Sequence, residues 1–268
     1  LSTKETGRLP SSFSATFFLL GISSLLPWNA YLKSFEYFEA YLGGSGVGSA
    51  LPNYIFFTYT LVMLSSMTAM VLGGMDQCWS ATRKTLAGLL TNFVLISMIG
   101  GIPAAELYFL EERLFGAGWF TVAVLLITAL TALSTAVMMK SLFEIVAKLN
   151  PSLIPAFNGG QAGAGIFVSL VSLLGVLMQS RPKSADAVDF KKLSQATLFF
   201  FSVAALVLLV AAVVFGWLSK QPAYTEANID DTTINLSSPS GNRTIYKVVR
   251  MVWDISLGIA MTMAVTLA

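Results

Sequence analysis

The chain has no histidine and a single cysteine, Cys78, in 268 residues. Without histidine, the usual zinc and haem sites, Ser-His and Cys-His nucleophile pairs and histidine proton relays are excluded. A lone cysteine excludes a disulfide framework within the chain. Charge is scarce as well. Asp, Glu, Lys and Arg make up 11% of the residues, where a soluble chain carries about 25%. The net charge of +2 is scattered over loops, so no basic patch for nucleic acid is built.

What the chain has instead is apolar surface. Hydrophobic residues make up 55% of it, and its mean hydropathy is +0.73. They come in long uncharged blocks, not at amphipathic spacing. At about 1.5 Å per residue, such blocks cross a hydrocarbon layer about 30 Å thick. The fold class is therefore all-α, a polytopic transmembrane helix bundle in contact with membrane lipid. No cofactor is expected.

A polar tail, 1–12, carries Lys4 and Arg8 and is similar to the start of a signal peptide. The apolar run behind it is too long, and no clean small-residue cleavage site follows, so the first helix, 13–35, is expected to be retained. A linker with Gly43, Gly44, Gly46 and Gly48 leads to a second helix, 53–74. Those glycines lack the preceding strand and the following Lys-Ser/Thr of a phosphate loop. Arg83 and Lys84 separate the second helix from a third, 85–105, where Gly100 and Gly101 stand four residues before Ala104 and Ala105 as a close-packing face. Pro103 kinks or ends it. An acidic loop with Glu106, Glu111 and Glu112 precedes a fourth helix, 118–146. A fifth, 156–180, opens on Gly159 and Gly163 at GxxxG spacing, with Gly160 and Ala164 beside them. A sixth, 194–219, is simply apolar. The division is thus a cytoplasmic tail at 1–12, a six-helix bundle at 13–219, a polar loop at 220–247 and the start of a seventh helix at 248–268. Because Ala268 is still within an apolar run, the sequence is expected to stop inside a helix.

Basic residues in the loops set orientation. With the N-terminus in the cytoplasm, nine lie inside, from Lys4 to Arg250, and six outside, including Lys33, Arg113 and the Arg181–Lys192 loop. The bias favours a cytoplasmic N-terminus, and the sequons at Asn235 and Asn242 then stay unglycosylated.

A few polar side chains sit where lipid would penalise them. In the first helix Pro27 is followed by Trp28 and Asn29, whose indole N–H and amide need partners. One reading is a kinked helix with Trp28 at the membrane interface; the other is a broken helix lining a solute pathway. In the fourth helix Lys140 lies well inside the run, where a lysine costs about 2.5–3.5 kcal/mol on insertion. It can snorkel, pair with Glu144 one turn on, or face a cavity and contact solute or Asp254. In the fifth helix close packing explains the glycines but not Asn158 or Gln161, which makes Gln161 a candidate solute contact.

The motif Leu25-Leu26-Pro27-Trp28-Asn29 resembles the first-helix signature of the equilibrative nucleoside transporter family. Ser141-Leu142-Phe143 resembles that family's fourth helix, and Gly160-Gln161 followed by Gly165-Ile166-Phe167 its fifth, in the same order and at similar spacing. The polar segment after the sixth helix falls where the family has its large cytoplasmic loop. The resemblance implies a major-facilitator-like transporter of eleven helices. This chain would be a truncated form of it, holding the first six and most of the seventh. It further implies carriage of nucleosides, and in some members nucleobases, by alternating access, facilitated or proton-coupled. Leu25, Trp28 and Gln161 are then expected at the solute site, with Asn29 supporting the backbone and Thr60 and Met63 near the cavity. Where many animal members have a solute-contacting glutamine, this chain has Met139, with Lys140 next.

Two other classes compete. A seven-helix receptor matches only the number of spans, and needs the N-terminus outside and a glycosylated 220–247 loop. A membrane-embedded enzyme lacks any catalytic constellation.

Overall fold

In lipid, an apolar run satisfies its backbone polar groups only by closing them into a helix. The fold follows from that. A computed structural model describes residues 11–43, 46–72, 79–108, 116–178 and 190–229, and all regular structure among them is helical. The elements are α1 (Ser11–Lys33), α2 (Phe35–Tyr41), α3 (Gly46–Leu72), α4 (Ala81–Tyr108), α5 (Ala117–Leu149), a 3-10 turn (Pro151–Leu153), α6 (Ile154–Met178), α7 (Phe190–Leu218) and α8 (Pro222–Ile229). Among the described residues five segments are long and apolar enough to cross a membrane: α1, α4, α5, Pro151–Leu174 and α7. The uncharged α3 runs beside α5 in the same bundle.

Polarity is distributed as lipid requires. On α5 the hydroxyls of Thr128, Thr131 and Thr135 are buried, while Leu126, Leu130 and Leu133 are exposed. On α7 the exposed positions include Leu206, Val210, Val213 and Trp217. Large apolar side chains face outward and hydroxyls inward, the arrangement of a chain whose solvent is hydrocarbon. The protein is an integral, multi-pass membrane protein.

The long helices pack as an arc in the order α6, α1, α7, α4, α5, α3. The tightest crossing is α1 on α6. A Cβ on Gly21 would collide with the Phe157 carbonyl, and one on Gly160 with the Phe18 carbonyl. Gly159, by contrast, has only the Phe18 ring near it, at 3.8 Å. The close approach is thus made by Gly160 against Gly21, with the Gly159–Gly163 pair on the flank. On α4, Gly100 backs onto Phe201 of α7, whereas a Cβ on Gly101 would meet nothing within 4 Å.

Several helices depart from their expected bounds, each for a local reason. α1 begins at Ser11 and ends at Lys33, where the Ser34 hydroxyl turns back to the Ala30 carbonyl at 2.8 Å. The expected linker contains α2, whose Tyr37, Phe38 and Tyr41 are buried. Tyr41 stacks on Phe120 with 3.7 Å between ring centroids, and the Tyr37 hydroxyl donates to Glu106 Oε2 at 2.9 Å. Gly43, at φ 64°, is the left-handed residue that lets the chain leave α2. α3 starts among the glycines and contains Pro52. α4 takes in Arg83 and Lys84 at its start and continues through Pro103 to Tyr108, so that proline does not end it. The polar loop expected at 220–247 opens with α8, whose buried Tyr224 shares a hydrogen bond of 2.7 Å with Thr82. The rest of that loop, the expected seventh helix at 248–268 and residues 1–10 lie outside the described residues.

Candidate functional site

The site grows from one stretch of α1. Helix α1 is continuous through Pro27 and is not broken there. Proline lacks the N–H that would serve the Ser23 carbonyl. Two residues on, the Asn29 amide donates 2.9 Å to the Leu25 carbonyl, an extra bond across the weakened turn. This bond of Asn29 lies within its own helix.

Trp28 is buried, at 6% exposure, and is not an interfacial anchor. The α1 and α3 backbones make little contact with one another, and the indole reaches across to α3. There it lies 4.7 Å from the Tyr59 ring and 5.9 Å from Phe56, centroid to centroid. Its Nε1–H has no hydrogen-bond partner among the described residues. One turn earlier on α1, the Ser24 hydroxyl donates to the Gly21 carbonyl at 2.7 Å and accepts from Gln161 Nε2 of α6 at 3.3 Å. Gln161 is half-buried, so only part of its amide is engaged in the interior.

Leu25, Thr60 and Met63 are likewise half-buried. Through Trp28 and Gln161, α1 is joined to both ends of the arc, α3 and α6. Leu25 lies on the same helix between Ser24 and Trp28, and Thr60 and Met63 follow Tyr59 on α3.

Lys140 stands apart. It lies two and a half turns, roughly 13 Å, before the end of α5. Its ammonium donates to the Met70 carbonyl at 3.3 Å, in the last turn of α3. A cation there meets the negative end of the helix and a carbonyl without an intrahelical donor. Glu144 pairs with Lys148 at 2.9 Å. Asp254, the other partner considered for Lys140, lies outside the described residues.

Sequence reasoning missed the aromatic partners Phe56 and Tyr59, and it missed Asn92. The carboxamide of Asn92 is fully buried on α4 and donates 3.2 Å to the Thr135 hydroxyl of α5. The signal was available. An amide inside an apolar run drew notice at Asn29 and Gln161, and the same test selects Asn92.

The fold and the buried polar groups along α1 define the class first: an all-α, multi-pass membrane protein whose interior polar side chains cluster between helices. The family model described as nucleoside transporter matches residues 123–245. Equilibrative nucleotide transporter 1 of Arabidopsis thaliana is 26% identical over 242 residues, covering 89% of this chain and 50% of that protein. Equilibrative nucleoside transporter 2 of Homo sapiens is 26% identical over 174 residues, covering 60% of this chain and 36% of that one. Equilibrative nucleoside transporter 1 of Rattus norvegicus is 22% identical, covering 94% of this chain and 63% of its own length. The chain is similar to these transporters, and it spans about half the length, or less, of the first two of them.

Proposed function

We propose that the protein carries nucleosides across a membrane, and that Leu25, Trp28, Thr60, Met63 and Gln161 are where this part of it meets the solute. The observation that carries the reading is the joint placement of Trp28 and Gln161. One spans from α1 to α3 and the other from α6 to α1, within one turn of each other along α1. A nucleoside offers a flat heterocycle and a sugar edge of hydroxyls. An indole wall suits the first and a half-buried amide the second. Nucleobases offer the same heterocycle and belong to the same cargo class.

The mechanism proposed is alternating access, with the ends of the arc, α3 and α6, moving while the Trp28 contact opens and closes. The half-buried positions would touch solute, and Trp28 would gate it, since its ring is covered by Tyr59 and Phe56. Membrane lipid is the structural partner, met by the exposed apolar faces of α5 and α7.

The test is saturable uptake of labelled adenosine or uridine by the full-length protein in proteoliposomes. Uptake is expected from the wild type and is lost or strongly reduced in Trp28→Ala and Gln161→Ala. A Trp28→Phe variant keeps a ring between α1 and α3 and retains part of the activity. Wild-type uptake by both alanine variants would remove the site assignment. No uptake of any nucleoside by the wild type would remove the function.

A further inference from the structure

Behind the Trp28 ring lies a group of polar side chains that the transport reading does not use. Tyr59 lies tilted against Trp28, and its buried hydroxyl is next to Thr135 of α5, with no well-formed hydrogen bond among the described residues. Asn92 of α4 reaches the same Thr135 hydroxyl through its Nδ2, at 3.2 Å, which leaves its Oδ1 buried and without a partner among the described residues. Tyr59 is 5% exposed, and Asn92 and Thr135 are fully buried. Three helices, α3, α4 and α5, thus bring a phenol, a carboxamide and a hydroxyl to one place. Two of the three groups still have hydrogen-bonding capacity to fill.

The demand has a definite chemistry. Asn92 Oδ1 accepts only, whereas the Tyr59 hydroxyl both donates and accepts. Among the described residues no charged side chain takes part. An uncharged group with one O–H and free lone pairs answers both at once: it donates to Asn92 Oδ1 and accepts from the Tyr59 hydroxyl. Leaving such groups unpaired in a low-dielectric interior is unfavourable, and a single bound hydroxyl removes that penalty.

We propose that Tyr59, Asn92 and Thr135 form a binding site for an uncharged hydroxyl group. Two sources supply that chemistry, an ordered water and a sugar hydroxyl of the solute. The second source rests on the nucleoside reading above; the first does not.

Tyr59→Phe removes one oxygen and keeps the ring against Trp28. The full-length protein is measured in nanodiscs for thermal unfolding without solute, and for the affinity of uridine and of 2′,3′-dideoxyuridine. If water fills the site, the variant melts a few degrees lower and the affinity ratio of the two solutes stays as in the wild type. If the solute fills it, melting without solute is unchanged. Uridine then binds about 2- to 10-fold more weakly, the range of one lost hydrogen bond, while the dideoxy analogue is unaffected. A second variant, Asn92→Leu with Thr135→Val, replaces both partners by apolar groups of similar shape. In a dry interior that exchange is neutral or stabilising; in an occupied one it lowers the melting temperature or weakens uridine. The proposal is overturned if Tyr59→Phe melts at or above the wild-type temperature, both solutes bind it as before, and the double variant keeps or gains stability. Failure of the wild type to bind uridine, adenosine or any other nucleoside would sink the nucleoside reading alone, since the melting comparison still decides the water arm.

Discussion

At the scale of single residues, the cost of a polar group in lipid is the guide, and the groups in the described part meet it in more than one way. Ser23 and Ser34 return their hydroxyls to carbonyls of the preceding turn, at 2.8 Å each, which makes them silent in any functional search. Asn29 does the same with its amide. Lys140 is more demanding, because insertion of a lysine costs about 2.5–3.5 kcal/mol and a helix-end contact returns up to about 2 kcal/mol in a partly buried geometry. Its placement on the Met70 carbonyl therefore fixes the end of α3 without fully offsetting that cost. In Lys140→Met, amide hydrogens in the last turn of α3 should exchange about fivefold faster, matching loss of about 1 kcal/mol at a helix terminus, while the α4 and α7 interiors keep their protection. Unchanged exchange at the end of α3 would show that the contact does not hold that turn. Glu144→Gln should change little. The pair with Lys148 has side chains 37% and 32% exposed, and such helix pairs contribute about 0.3–0.5 kcal/mol.

At the scale of elements, backbone contact decides more than side-chain chemistry. Helices α1 and α6 approach so closely that Gly21 and Gly160 each leave no room for a methyl group beside the facing carbonyl. Gly160→Ala should cost about 1–3 kcal/mol, as overpacking does, and should also displace Gln161, its neighbour, from Ser24. Gly101→Ala on α4, where nothing lies within 4 Å, should be neutral or gain up to about 1 kcal/mol of helix propensity. Thermal unfolding in detergent orders the two; equal melting temperatures would show that the crossing yields without strain. This is also where the sequence was most and least legible. The uncharged runs marked the long helices, because length and apolarity are read directly from composition. The register between helices was not marked, because spacing names a small face without saying which neighbour it meets. Gly160 faces Gly21, while Gly159 and Gly163 meet only the Phe18 ring. The short α2 and α8 were hidden for another reason. They are amphipathic pieces among polar residues, held by a few buried aromatics, Tyr37, Tyr41 and Tyr224, and their stability comes from the surface they dock on. Within the site, Trp28 and Gln161 could be singled out as costly groups in oil. Phe56 could not, since a hydrocarbon ring in an apolar run carries no such cost, whereas the Tyr59 hydroxyl does carry one and its role as a ring partner of Trp28 was what the sequence hid.

At the scale of the whole molecule, the order of packing separates a stiff part from a movable one. The middle of the arc is tied by contact along whole helices: α4 lies against both α5 and α7. It is reinforced by hydrogen bonds between helices, Asn92 to Thr135 at 3.2 Å and Ser134 to the Gly88 carbonyl at 3.1 Å. Among the described residues the two ends of the arc have no comparable tie to each other. α3 meets α1 through the Trp28 ring, with little backbone contact. A contact made by one large side chain across a gap can be opened without unzipping a helix interface, which is the mechanical requirement of a gate. Spin labels test this on a cysteine-free background made by Cys78→Ser in the full-length protein. A pair at Ser65 of α3 and Ser169 of α6, both exposed, should show a distance distribution that shifts when nucleoside is added. A pair at Thr91 of α4 and Ser202 of α7, also exposed, should keep one narrow distribution throughout. With Trp28→Ala the first pair should be broad even without solute, because the only large ring bridging from α1 to α3 among the described residues is gone. Identical distributions for the Ser65–Ser169 pair with solute, without solute and without the indole would mean that the arc is rigid end to end, and alternating access through this opening would have no moving part.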